Sequence, residues 1–355
     1  MLLFIVTLFG FVLVSCRPCK AGEFYKDCTS IDQTRAINGV CIILILLSHT
    51  YAKVTSFGFF DEAYIPVRTF LGQFVVVPFL FYSGYGIMES LSKKEFYLRD
   101  FPRKRLFRLF IRFFIITVIY VILNMLMGNF YSGAHILLSL FGITSIGNGG
   151  WYILSIFWFY VAVIICFNLF KKSRVVAAVS VALCLVVLIL LEIKLNFPTY
   201  FYSTTIFLSV GMFYSLLKKP FDSFVMRNDI VWLTVLAVSA FLFLFGKGLV
   251  EKTVLFYPIW CGFGMLMLLC LTMKVRMQNK ILVWFGKTVF FNFTLQGIPQ
   301  MIFTRILSNN YVIYVLVLTV TITLIYIAEM LFSHIEASVL RRNKLHKLRV
   351  MSEER

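Results

Sequence analysis

The chain has 355 residues, of which 60% are hydrophobic, 17% aromatic and only 14% charged, a composition that excludes an ordinary soluble globular domain. Its formal net charge of +18 does not point to nucleic acid, because the cations sit in short loops between apolar runs. Nothing between those runs is long enough to fold as a second, soluble domain.

Apolar runs fall at about 1–16, 36–54, 69–91, 107–128, 149–170, 174–193, 199–217, 229–246, 253–273, 281–304 and 310–334, each of a length that suits a transmembrane helix. The expected fold is all-α: a polytopic transmembrane helix bundle with ten core spans plus one N-terminal hydrophobic segment. Residues 1–31 form that segment and a basic loop, 32–335 the membrane domain, and 336–355 a basic tail.

The first run, "MLLFIVTLFGFVLVSC", ends in a box like those cleaved from bacterial lipoproteins. No Lys or Arg precedes it, as a secretory signal would require, and cleavage would leave a basic loop outside, so the reading is an extra span. Cys16 and Cys19 form a CxxC with Cys28 nearby, without the second pair that a zinc site needs, and no metal site is expected. Five other cysteines lie inside apolar runs, where a small buried hydrophobe is the simpler reading.

Loop charge alternates along the whole chain. Most of the 34 Lys and Arg fall in every second loop and in the tail, whereas the opposite loops hold only Lys53, Arg68, Lys194, Lys247, Lys252 and Arg305. By the positive-inside rule the N-terminus is external and the C-terminal tail cytoplasmic.

In the second run, "TRAINGVCIILILLSHTY" (34–51) carries Arg35 near one end and His49 near the other. Fourteen residues of helix separate them by about 21 Å on neighbouring faces, so they share a side without touching. Arg35 would either hold a phosphate-bearing ligand or anchor the helix in headgroups. His49, the one histidine in the body of an apolar run, His334 standing at the edge of the tail, could act as a base or simply hydrogen-bond a neighbouring helix.

"VVVPFLFYSGYGIMES" (75–90) is expected to place Pro78 and the Ser83-Gly84-Tyr85-Gly86 cluster in mid-span, where small residues let helices or ligands approach. "FPRKRLFRLFIR" (101–112) brings Arg103, Arg105 and Arg108 to the mouth of a span, as a topology anchor facing anionic lipid or as a phosphate holder. The cation-free stretch 129–150 is an external connection that is either re-entrant or part of a site opening, and Trp151 and Tyr152 open the next run. Glu89, Asn124, Lys287, Asn292, Gln296 and Glu329 complete the main polar set within spans.

Together these stretches resemble acyltransferase family three, from about Asp32 to Phe332. "NGVCIILILLSHT" is similar to the family's first core helix, with its histidine at His49; "FLFYSGY" (79–85), "RKRLFRL" (103–109), Trp151-Tyr152-Ile153-Leu154 and "FGKTVFFNFTLQ" (285–296) resemble its later motifs in the same order. Two positions depart from the pattern: Asn38 stands where the family has a cation, eleven residues before His49, and Gln296 where many members have histidine.

The resemblance implies a multi-pass protein of a bacterial cytoplasmic membrane that moves an acetyl or similar small acyl group from acyl-coenzyme A to a hydroxyl of a cell-surface glycan or its lipid-linked precursor, with no bound cofactor. It implies His49 as the catalytic base or acyl relay, Arg35 with Arg103, Arg105 and Arg108 as donor-binding residues, and Asn38, Ser83, Tyr85, Trp151 and Gln296 as site-lining. A polytopic transporter or flippase, or a non-catalytic relative, is the alternative.

Overall fold

A computed structural model describes residues 1–54, 58–250 and 256–353, the stretch 336–353 as helix backbone only; Lys252 and the side chains of the basic tail lie outside the described residues. Helices stand at all eleven apolar runs. They are α1 (Leu2–Ser15), α2 (Ile31–Tyr51), the short α3 (Phe59–Glu62) and α4 (Ile65–Leu71), α5 (Val77–Lys93), α6 (Tyr97–Phe101), α7 (Arg108–Leu126), α8 (Gly133–Ser139), α9 (Gly150–Leu169) and α10 (Arg174–Lys194). The second half holds α11 (Phe207–Val225), α12 (Asp229–Phe245), α13 (Lys247–Val250), α14 (Phe256–Lys274), α15 (Lys280–Lys287), α16 (Val289–Leu295), α17 (Gly297–Ile306) and α18 (Asn310–Glu353).

Polar residues between the runs set where many helices begin. Ser30, Ser132, Ser173, Asn228 and Asn279 each accept a hydrogen bond from a backbone N–H in the first turn of the helix that follows, satisfying a donor that the helix itself cannot. The fold is an all-α polytopic bundle. Among the described residues seven helices are long and apolar enough to cross a membrane, and up to nine if α11 with α12 (bent 117°) and α15 with α16–α17 (bent 66°) each count as one span. At 14 residues α1 is about 21 Å long, short of the roughly 30 Å hydrocarbon layer.

Three continuous-looking runs are broken. The run at 69–91 splits at Gly72, and Pro78 stands in the first turn of α5 rather than in mid-span as expected. The reason is local: proline lacks the N–H that a helix interior needs, and the first turn leaves that N–H unused. The run at 281–304 breaks at Thr288 and again at Gln296. The run at 199–217 opens with a short 3-10 turn (Thr199–Phe201) before α11 starts at Phe207. Between α6 and α7, Pro102–Phe107 form a π-helical turn, so that the "PRKRLF" stretch departs from α spacing.

α2 and α5 are the most buried of the apolar helices, while α7, α10 and α18 lie largely outside. Glycines let the inner helices meet backbone to backbone: a Cβ on Gly84 of α5 would strike the Leu208 carbonyl of α11, and one on Gly211 of α11 the Phe81 carbonyl of α5. An antiparallel ribbon joins β1 (Cys16–Pro18) to β2 (Val275–Met277), pairing Cys16 with Met277. Beside it Asn279 Nδ2 donates to Ser15 Oγ at 2.7 Å, so the end of α1 is tied to the start of α15.

Candidate functional site

The first part of the site lies where α2 begins and α5 ends. A cavity of about 620 Å³ is lined by Arg35 and Asn38 of α2, Ser83, Tyr85, Glu89 and Lys93 of α5, and Lys94, Arg105 and Tyr160. A second cavity of about 630 Å³ adjoins it, lined by Lys94, Lys104, Arg105, Arg108, Arg112 and the rings of Phe96, Tyr97 and Tyr160. Lys94, Arg105 and Tyr160 belong to both walls. The π turn delivers Arg105 to this shared wall, against Tyr97 and Tyr160.

The cavity side chains are held from behind. The hydroxyls of Tyr85 and Thr29 are 2.8 Å apart, and Glu89 accepts from Ser215 at 2.7 Å and from Lys93 at 2.6 Å. Asn38 Oδ1 is buried with no hydrogen-bond partner among the described residues. Its neutral amide therefore stands in a cavity where the cations come from Arg35, Lys93, Lys94 and Arg105.

The second part centres on His49, toward the other end of α2. Of residues 33 to 51 only His49 is exposed, although α4, α16 and the α16–α17 break surround it, so its imidazole opens into a recess. The ring lies edge-on to Phe293 of α16, with centroids 6.0 Å apart, and meets Gln296. Gln296 is buried; its Nε2 donates to the Phe293 carbonyl at 3.2 Å, and its Oε1 has no partner among the described residues. Gln296 stands between α16 and α17 with helical backbone, and an imidazole N–H facing its Oε1 would leave the other ring nitrogen free as a base. One turn below, Gln300 Nε2 donates to Thr50 Oγ1 at 3.1 Å and ties α17 to α2.

Arg68 of α4 stands beside this recess. Its Nε donates to Ser48 Oγ at 3.0 Å and its guanidinium covers the Tyr51 ring at 5.4 Å. Lys53 is the other cation that acts on the imidazole.

The two parts are linked through side chains. Ser83 lines the first cavity and meets the Tyr152 hydroxyl; the Tyr152 ring packs on Phe293 at 5.0 Å; Phe293 touches His49. Trp151 also packs on Phe293, at 5.7 Å. The connection 129–149 folds over the same region: it carries α8, and Gly149 lies against Phe293.

Of the residues expected from sequence, Arg35, Asn38, Ser83, Tyr85 and Arg105 share one cavity, and Arg108 lines its neighbour. His49, Gln296 and Trp151 gather around Phe293. Arg103, exposed on the π turn, lines neither cavity. Sequence alone assigned no site role to Lys93, Lys94, Tyr160, Arg68, Tyr152 or Phe293. The signal for Arg68 was its place among the few cations of the sparse loops.

A comparison with protein families matches the acyltransferase domain of acyltransferase family 3 to residues 30–330, most of the chain. Comparisons with curated proteins and with solved structures return no match. The matched span runs from the cap of α2 through the helix breaks to α18 and contains both cavities and the His49 recess, and the chain accordingly belongs to acyltransferase family 3, as a multi-pass membrane acyltransferase.

Proposed function

We propose that this acyltransferase works on oxygen: it moves an acetyl or similar small acyl group from cytoplasmic acyl-coenzyme A to a hydroxyl of a cell-surface glycan or its lipid-linked precursor. Its setting is a bacterial cytoplasmic membrane, with the C-terminal tail inside. The reading is carried by one observation: a cation-lined cavity is linked to an exposed histidine through the successive side-chain contacts of Ser83, Tyr152 and Phe293.

In this reading Arg35, Lys93, Lys94 and Arg105 hold the donor's phosphates, a task that suits arginine forks and lysine point charges. Arg108 supports them from the adjoining cavity, and Arg103 stands further out. The pantetheine arm runs past Ser83 and Tyr85 toward His49. The imidazole takes the proton of the acceptor hydroxyl, the hydroxyl oxygen bonds to the thioester carbonyl carbon, and the carbon–sulfur bond breaks. The imidazolium returns the proton to the leaving thiolate, so the products are an ester and free coenzyme A. Gln296 orients the ring, and Trp151 and Phe293 wall the recess.

To test this, His49→Ala is compared with the unchanged protein at equal membrane levels, reading release of free coenzyme A from acetyl-coenzyme A together with the mass of the acylated glycan. Loss of a positioned proton transfer lowers the rate by about 10² to 10⁴. An undiminished rate would rule His49 out.

A further inference from the structure

Arg68 is only partly committed. Its Nε bonds Ser48 and its face lies on Tyr51, but among the described residues no hydrogen bond engages its two terminal nitrogens and no carboxylate pairs with it. A guanidinium in that state presents the planar pair of N–H donors that matches a carboxylate or phosphate. Two other cations at this end of the bundle are tied to backbone: Arg305 Nη1 donates to the Met127 carbonyl at 2.7 Å, and Lys247 Nζ to the Phe70 carbonyl at 3.0 Å.

Position gives the free fork its meaning. Ser48, which holds Arg68, precedes His49 in α2, and the charged groups that act on the imidazole are Arg68 and Lys53, with no carboxylate among them. A base that accepts a proton becomes positive, and two cations beside it oppose that charge. The arrangement hinders general-base chemistry until something negative enters the recess.

We infer that the acceptor is anionic, carrying a phosphate diester or a carboxylate close to the hydroxyl that receives the acyl group, and that Arg68 binds this anion with help from Lys53. The inference rests on the reading of His49 as the base. Binding then does two things: it places the hydroxyl at the imidazole and neutralises the cations that would resist its protonation. A neutral sugar would leave both costs in place.

The test uses cells that express the full chain, with His49→Ala cells as the blank, fed radiolabelled acetate. Envelope glycans and lipid-linked precursors are fractionated on an anion exchanger before and after mild removal of esters. The expected result is His49-dependent, ester-linked label in the fraction that binds the exchanger; such label confined to the neutral flow-through overturns the inference and leaves the acyl-transfer reading standing. Absence of any His49-dependent label overturns both. In a second arm, Arg68→Gln should raise KM for the isolated anionic acceptor roughly tenfold or more, with Arg68→Lys, which keeps the charge but lacks the fork, recovering only part of the affinity. An equal loss of kcat with KM unchanged would show a role in the transition state alone and would overturn the binding role. Should Arg68→Gln fail to reach the membrane, the fractionation of the unchanged protein still decides.

Discussion

Gly286 of α15 lies directly against the main-chain carbonyl of Arg35 in α2, where a Cβ would collide with the oxygen. One turn along, Gly39 meets the Leu282 carbonyl of α15 in the same way. The two helices touch backbone to backbone, and this contact fixes the cavity wall that carries Arg35 and Asn38. Gly286→Ala must push the helices apart, at a cost of about 1–3 kcal/mol typical of overpacking. The expected outcome is a lower midpoint of thermal unfolding in detergent, with acyl transfer falling at temperatures where the protein is still folded.

Arg35→Gln and Arg105→Gln should weaken donor use without abolishing it. Each removes a cation from the wall of the same cavity. A lost charge-assisted bond of about 1.5–3 kcal/mol raises KM for acetyl-coenzyme A roughly tenfold or more. Arg103→Gln, which changes a residue outside both cavities, should leave KM within about twofold by the usual surface effect. Steady-state kinetics of the purified protein in lipid checks all three.

Gln296→Leu separates orientation of the base from binding of the donor. It removes the only side chain of the α16–α17 break that meets His49 and frees the Phe293 carbonyl of its 3.2 Å bond. A buried group left without its partner costs about 1–3 kcal/mol. The rate of acyl transfer should fall about tenfold or more while KM for the donor stays unchanged, since Gln296 lies outside the donor cavities.

Asn124 holds the connection over the recess. Its Nδ2 donates to the Tyr120 carbonyl at 2.8 Å and the Ile146 carbonyl at 2.9 Å, and its Oδ1 accepts from Asn129. Asn124→Leu leaves the Ile146 carbonyl and the Asn129 amide without this partner, at about 1–3 kcal/mol. Faster limited proteolysis between residues 129 and 149 is the expected reading, with the rest of the chain cut at its former rate.

Cys28, in the loop before α2, is buried, and burial pushes its thiol up to about 11. At pH 7.5 its thiolate fraction is therefore below about one part in a thousand, and the thiolate is the reactive form. Maleimide should leave Cys28 unmodified in the folded protein and label it after denaturation; mass spectrometry of the peptide reads both states.

The helices were legible because membrane-length apolar runs and capping residues such as Ser30, Ser173 and Asn228 are local signals. The breaks were not. "ILVWFGKTVFFNFTLQGIPQMIF" (281–303) reads as one greasy run, yet it bends by 66° at Thr288, beside the tertiary contact of Gly286 with the Arg35 carbonyl. Arg35, Asn38, Ser83 and Tyr85 could be gathered by order along the chain, but their meeting with Arg105 depends on a π turn that α spacing does not foresee. Arg68 stood out in the sequence only as one of the few cations of the sparse loops; its placement beside His49 depends on a tertiary bond to Ser48.

The ribbon between β1 and β2 has a consequence for how the protein is made. Ser15 and Asn279, bonded beside it, are 264 residues apart. The first helix is synthesised early, yet its anchor emerges only after α14, when nearly every other helix has been made. Contacts of such long separation form late and slowly. The N-terminal helix is therefore the last piece to lock, and the α2–α15 contact that shapes the Arg35 wall is completed in the same closing step.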